Sequence, residues 1–199
     1  IQDFGDEEGF EVRLASEAGR FNINALILRD DSPLLRSMFI DWGLDLDQAQ
    51  LVTDSLATWV AGDDFISLNG AEVDWYEEQG RINQPFNRPF YDLSEMRLVR
   101  GMDLVEAMKP DWREWFTIWS GGALDVNEAP AELIAAAAEI PVEQAEIIPE
   151  TVRGVDGERD TLDDAPFQNA AAALDLLGVD AEGRPRSEEH TSELQSPNT

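Results

Sequence analysis

Apolar residues recur along this chain first at every second position and then at every third or fourth. Phe10, Val12 and Leu14 fall on one face of an extended segment, with Glu11 and Arg13 on the other, which predicts a half-buried strand. A second short alternation, Phe21-Asn22-Ile23-Asn24-Ala25, follows Gly19. From there the period turns helical. Ser32 followed by Pro33 opens a helix that carries Leu34, Leu35, Met38, Phe39 and Trp42. Asp45 or Asp47 opens the next, with Leu51, Val52, Leu56, Trp59 and Val60 on one stripe and an end near Gly62. Residues 62–91 read as a long loop, rich in Gly, Asn, Pro and acids, that holds Phe65, Trp75, Tyr76, Phe86, Phe90 and Tyr91. A stretch this long without secondary structure, inside a compact domain, implies a functional role or something that holds it.

Helical spacing resumes over 93–100, closed by Gly101, and over 103–108. Pro110 then separates a further helix at 111–119, with Trp112, Trp115, Phe116 and Trp119 along one side. Asn127 is a good cap for a helix over 128–140, whose Ala-rich run at 135–138 suits close packing. Pro141 starts a helix over 142–148 and Pro149 stops it. A polar hinge at 154–160 leads to a last helix over 167–177, ended by Gly178. The expectation is a mostly α fold of about seven short helices with one or two N-terminal strands.

Composition narrows the chemistry. The 199 residues carry 14 Lys and Arg against 42 Asp and Glu, a formal charge of −28. Such a surface repels phosphate backbones and anionic headgroups, which argues against nucleic acid and membrane surfaces as partners. With 43% hydrophobic residues, nine Phe and six Trp, the chain can build a core, so the acidity is not that of a disordered tail. The absence of Cys excludes disulfides, thiolate metal sites and cysteine nucleophiles. The single histidine, His190, lies in a polar stretch from Arg186 to Ser196 that reads like a sequencing-adapter oligonucleotide translated in frame, and residues 186–199 are set aside on that ground. A histidine-dependent triad or metal site is thereby disfavoured. No run approaches the roughly 20 apolar residues of a membrane span and no signal peptide is evident, so a chain opening on Ile1 is expected to be cytoplasmic or a fragment that has lost its N-terminus.

Asp63 and Asp64 end a helix, and Glu72 and Asp74 follow within the aromatic loop. Crowded carboxylates repel one another unless a cation neutralises them, and calcium takes six to eight oxygen ligands. A bound ion would also explain how a long loop stays ordered, although the EF-hand spacing is absent. The plain alternative is a solvated acidic loop. Residues 124–149 resemble a helix-hairpin-helix, yet the hairpin position holds Glu139-Ile140-Pro141 without glycines and no Lys or Arg lies between Arg113 and Arg153. Phosphate contact needs such cations, so a scaffold role is favoured over a nucleic-acid-binding module, which stands as the alternative function. The aromatic cluster at 112–119 and the Trp42/Trp59 pair fit core packing better than a ligand box. No spacing singles out a carboxylate pair for glycoside hydrolysis. The charge, with Lys109 as the one lysine, would also suit a saline habitat.

Five segments then occur in one order: Glu17-Ala-Gly-Arg-Phe21-Asn22-Ile-Asn24, Trp59-Val-Ala-Gly-Asp63-Asp64, Gly70-Ala71-Glu72, Tyr91-Asp-Leu93-Ser94-Glu95-Met-Arg97-Leu98-Val99-Arg100-Gly101, and Leu124-Asp-Val126-Asn127-Glu-Ala129-Pro130-Ala131-Glu132. Together they resemble the K-type minor pseudopilins of bacterial type II secretion systems, from about residue 6 to 180, with the Ser-Glu-x-Arg-Leu-Val-Arg-Gly block the most specific.

The resemblance implies a helical α-domain inserted in a pilin-like α+β scaffold, with a pilin-like strand segment at 1–28, the α-domain at 29–180 and a disordered tail at 181–199. It implies a non-enzymatic structural role in protein secretion, at the tip of the periplasmic pseudopilus, beside I-type and J-type minor pseudopilins. It also implies calcium in the α-domain, with Asp63, Asp64, Glu72 and Asp74 as ligands. The family's membrane-anchoring N-terminal helix, which fixes the full-length protein in the inner membrane, and its later sheet strands are not found in this chain. The exposed aromatics of 75–91 and the Phe10–Leu14 edge are the first candidates for a partner surface.

Overall fold

The computed structural model describes residues 2–3, 9–10, 16–61 and 70–179, with side chains only in the last two ranges. Two short antiparallel strands, β1 (Gln2–Asp3) and β2 (Gly9–Phe10), pair near the start, while the predicted continuation through Val12 and Leu14 lies outside the described residues. A 3₁₀ turn at Glu17–Gly19 leads into β3 (Phe21–Asn22), and the chain then coils into α1 (Ile23–Leu28) instead of continuing the alternation. Asn22 causes that switch, because its side-chain oxygen accepts from the Ala25 N–H at 3.1 Å and caps the helix.

The next two helices follow their sequence signals. In α2 (Ser32–Asp41) the proline stands in the first turn, where a missing N–H removes no helical bond. In α3 (Leu46–Val60) Asp45 and Gln48 form a reciprocal capping box: the Gln48 N–H donates to the Asp45 carboxylate at 2.8 Å and the Asp45 N–H to Gln48 Oε1 at 3.1 Å. Leu35, Met38 and Phe39 of α2 and Val52, Leu56 and Trp59 of α3 are all buried, so these two helices form the centre of the core.

The middle of the chain corrects further expectations. Within the span read as a loop, Val73–Glu78 forms α4, whose single buried side chain, Tyr76, turns it onto the core. The 93–100 segment is a 3₁₀ helix, Leu93–Leu98, followed by α5 (Met102–Met108). The predicted 111–119 helix is a 3₁₀ turn, Trp112–Glu114, and then β4 (Phe116–Thr117), which pairs in parallel with β3 at Phe21↔Phe116 and Asn22↔Thr117. Trp112, Trp115 and Phe116 turn inward in this arrangement, as they would on a helix, but Trp119 is 78% exposed. Finally, Pro149 does not stop a helix. It sits in the first turn of α8 (Ile147–Val152), after the shorter α7 (Val142–Ala145).

The C-terminal part completes the α-rich architecture. The helix expected from Glu128 begins later, as α6 (Ala131–Ala138), capped at Pro130 and not at Asn127. The last helix, α9 (Ala170–Leu177), starts three residues later than predicted, with the Asn169 side chain accepting from the Ala172 N–H at 3.0 Å and Gly178 in the left-handed region at its end. Among the described residues no helix is long and apolar enough to cross a membrane.

Candidate functional site

The acidic, aromatic region after α3 is built on Trp59. This side chain is fully buried, with ring centroids of Tyr76, Phe86 and Phe90 at 5.6, 5.0 and 6.2 Å. Arg88 extends the stack: its guanidinium lies 4.8 Å from the Phe86 centroid and 3.8 Å from that of Tyr91, and it forms an ion pair with Glu95 at 3.0 Å. A cis peptide joins Gln84 to Pro85 within this segment. Burial pushes the Tyr76 hydroxyl up to about 12, opposed by the backbone N–H of Arg100, which donates to it at 3.2 Å. The described part of the segment, from Gly70 onward, is therefore held by rings packed on Trp59 of α3.

Of the four carboxylates assigned to a metal, Asp63 and Asp64 lie outside the described residues. Glu72 caps α4 through its carbonyl, which accepts from the Trp75 and Tyr76 N–H groups at 3.0 and 3.3 Å. Asp74 is exposed in the first turn of that helix. The chain leaves α3 at Ala61 and is back against the same helix at Gly70, where a Cβ would come within 2.0 Å of Thr58 Oγ1. Only glycine permits that approach. Among the described residues no three His, Cys, Asp or Glu side chains gather as a metal-holding group. Glu72 and Asp74 alone do not make a calcium shell of six to eight oxygens.

The candidate partner surface is also narrowed. Trp75 is half-buried, Tyr76 and Phe90 are buried, and Phe86 packs on Trp59, which leaves Tyr91, at 68% exposure with Arg88 over its ring, as the most exposed aromatic of this segment. The Trp42/Trp59 pair divides between two clusters: Trp42 meets Trp115 at 5.0 Å and Phe116 at 6.2 Å, away from the rings that surround Trp59.

What sequence reasoning missed is the work of three asparagines that tie distant segments. Asn22 donates to the Ser120 carbonyl at 2.6 Å, and Asn24 pairs in both directions with the Phe90 backbone, at 3.0 and 2.8 Å. Asn127, expected as a helix cap, instead pairs in both directions with the Phe167 backbone, at 3.1 and 2.8 Å. Gly19 adds a fourth tie by close contact, since a Cβ there would lie 2.6 Å from the Glu128 carbonyl oxygen. The signal was present in the ordered segments themselves, three of which contain these residues or Gly70.

Comparison with known proteins agrees with that pattern. Residues 19–110 match the family described as Type II secretion system (T2SS), protein K. The Type II secretion system protein K of Pseudomonas aeruginosa is 32% identical over 156 residues, which is 73% of this chain and 45% of that protein. The protein of the same name from Dickeya chrysanthemi is 38% identical over 71 residues, 35% of this chain and 19% of that protein. The chain thus spans less than half the length of these relatives. A solved chain in the crystal structure of the GspK-GspI-GspJ complex from the enterotoxigenic Escherichia coli Type 2 secretion system superposes with a TM-score of 0.61. That match covers 85% of this chain and 60% of the solved one at 18% identity, and it shows a shared fold.

Proposed function

From the match of residues 19–110 to the family described as type II secretion system protein K, we propose that this chain is part of a minor pseudopilin of the K type, a structural component of the secretion pseudopilus. The observation that carries the proposal is the coincidence of family and fold: the matched segment contains α1 to α5, and the described helices follow a solved K-I-J complex chain over 85% of this sequence. In this reading residues 29–180, with the helices from α2 onward, are the α-domain, an insertion in a pilin-like scaffold of which β1 and β2 are the first strands. The protein is not an enzyme. It works in the periplasm, and the full-length form is anchored in the inner membrane.

Its partners are the I-type and J-type minor pseudopilins, with which it caps the filament tip. Mixing the chain with soluble I- and J-type proteins and measuring mass by native mass spectrometry tests this. A ternary species at equal stoichiometry is the expected result, and three separate components at micromolar concentration would overturn it. Tyr91→Ala is the clean surface probe, because Phe86 is part of the Trp59 packing and its removal would disturb the fold. The nucleic-acid alternative has nothing in its favour: residues 114–152 contain no Lys or Arg, and Glu139 stands at the turn between α6 and α7.

Calcium belongs to this proposal as well, held by Asp63, Asp64, Glu72 and Asp74. What supports it is the close approach of Gly70 to Thr58 of α3, which places the chain before Glu72 and Asp74 beside that helix. Thermal unfolding in chelator, in millimolar Ca²⁺ and in Mg²⁺ checks it. An ion at 100 times its Kd stabilises the native state by about 2.7 kcal/mol, a rise of several degrees specific to calcium. Equal responses to both cations would reduce the effect to charge screening.

A further inference from the structure

The C-terminal end of α2 and one side of α6 do not close on each other. Between them runs a groove of about 470 Å³, with a floor of Leu34, Met38, Trp42, Trp115, Ala136 and Ile140. Small residues keep it open: Ala135 and Ala136 supply no side chain beyond Cβ, so α6 leaves space where a leucine would fill the gap. The rim has the opposite character. Asp41, Glu132 and Glu139 edge the groove, and no ion pair among the described residues involves any of them. The one cation at the rim, Lys109, is already engaged, 2.8 Å from the Asp111 carboxylate and 5.3 Å from the centroid of the Trp115 ring.

Glu139 adds a second observation. It ends α6 in the left-handed region, at φ 53° and ψ 42°, where a glycine would sit without strain. The chain keeps a carboxylate at this position against its backbone preference.

We propose that this groove is a docking site for an amphipathic helix of another polypeptide, with aliphatic residues seated on the Trp42–Trp115–Ile140 floor and Lys or Arg side chains paired to Asp41, Glu132 and Glu139. Charge complementarity selects that partner. An apolar floor rimmed by unpaired carboxylates rejects acidic helices and anionic lipids, and it rewards a basic flank at the spacing of one to two helical turns. The groove lining does not include Tyr91, and the proposal does not depend on the reading above.

The test uses the 199-residue chain, ¹⁵N-labelled, and a synthetic helical peptide of about 14 residues with leucine at every third or fourth position and lysine beside it. The expected result is amide shifts confined to α2, α6 and the 139–142 turn, with binding weakened at least about tenfold in an E132K/E139K variant and by raising salt to about 0.5 M. Glu139→Gly separates binding from folding, since it relieves the left-handed strain. It should bind the peptide more weakly while unfolding at the same or a higher temperature. A peptide with glutamate in place of each lysine should not bind. Absence of shifts, shifts on another face, equal binding of the acidic peptide, or undiminished binding to E132K/E139K would overturn the proposal. So would self-association of the chain through this groove that the peptide fails to displace.

Discussion

Two parts of the molecule are held in place by opposite means. Around Trp59 the chain from Gly70 to Gly101 is irregular over much of its length, yet it is fixed by burial of large rings, three of them with centroids within 6.2 Å of that of Trp59. The segment from Gly154 to Asp164, between α8 and α9, buries almost nothing: Val155 and Leu162 are fully exposed. Its shape comes from carboxylates that accept backbone hydrogens. Asp163 takes the Val155 and Asp156 N–H groups at 2.7 and 3.0 Å and the Thr161 hydroxyl at 2.8 Å, while Asp164 takes the Asp160 N–H at 2.8 Å. An excess of acids is thus no obstacle to order where each carboxylate has donors, and irregular backbone is no sign of looseness where aromatic area replaces regular hydrogen bonds. The first mode answers to volume, the second to protonation.

The largest break in that contrast is Trp59→Ala. Emptying the centre of the ring cluster should destabilise the chain by about 3–5 kcal/mol, seen as a lower urea midpoint with loss of Phe90 and Tyr76 packing. A loss below about 1 kcal/mol would mean that the cluster is not what holds the segment.

Tyr76 brings protonation into the apolar region. Its folded pKa, about 12, lies above the ordinary value of 10.0, so the neutral phenol is the form that folding favours. The stabilisation is fully present below pH 10 and is lost as pH rises from about 10 through 12, by about 2 kcal/mol when complete. Tyr76→Phe should flatten this alkaline limb in unfolding curves taken across that range, and an unchanged limb would assign it elsewhere.

The smallest effect belongs to the exposed segment. The Thr161 hydroxyl, then the backbone N–H groups of Asp156 and Val155, hold Asp163 down at about 2. A lowered carboxyl stabilises the fold above its unfolded pKa of about 3.9, and that contribution disappears as pH falls toward 2. Asp163→Asn should therefore speed amide exchange at Val155 and Asp156 at neutral pH and remove the acid dependence of that exchange, with little change in the global midpoint. Equal exchange in both proteins would show that the segment does not rely on this carboxylate.

Much of the helical content was legible because its signals are local. The Asp45–Gln48 capping box, Pro33 in a first turn, Asn169 as a cap and the Leu51–Trp59 stripe each depend on residues within one or two turns of one another. The acidic site was less legible. Four acids close in sequence suggested an ion; of these Glu72 and Asp74 stand at the start of α4, and Asp63 and Asp64 lie outside the described residues. The Trp112–Trp119 spacing shows how a period misleads. The intervals of three, four and seven that mark a helical stripe also fit a 3₁₀ turn followed by a strand, so long as only the inner three residues must be buried.

The sequence by itself determined that this is a mostly helical, strongly acidic protein, where several of its helices begin, and that ordered motifs relate it to the type II secretion K proteins. Tertiary structure alone decided that Phe21 pairs with Phe116, that Asn22 reaches Ser120 across 98 positions, that Asn127 binds Phe167 rather than a helix end, and that an acid-rimmed groove opens between α2 and α6. Helix periodicity and capping are written in neighbouring residues, whereas a pairing between remote segments leaves no local trace. It is set by which buried polar groups find one another once the core has closed.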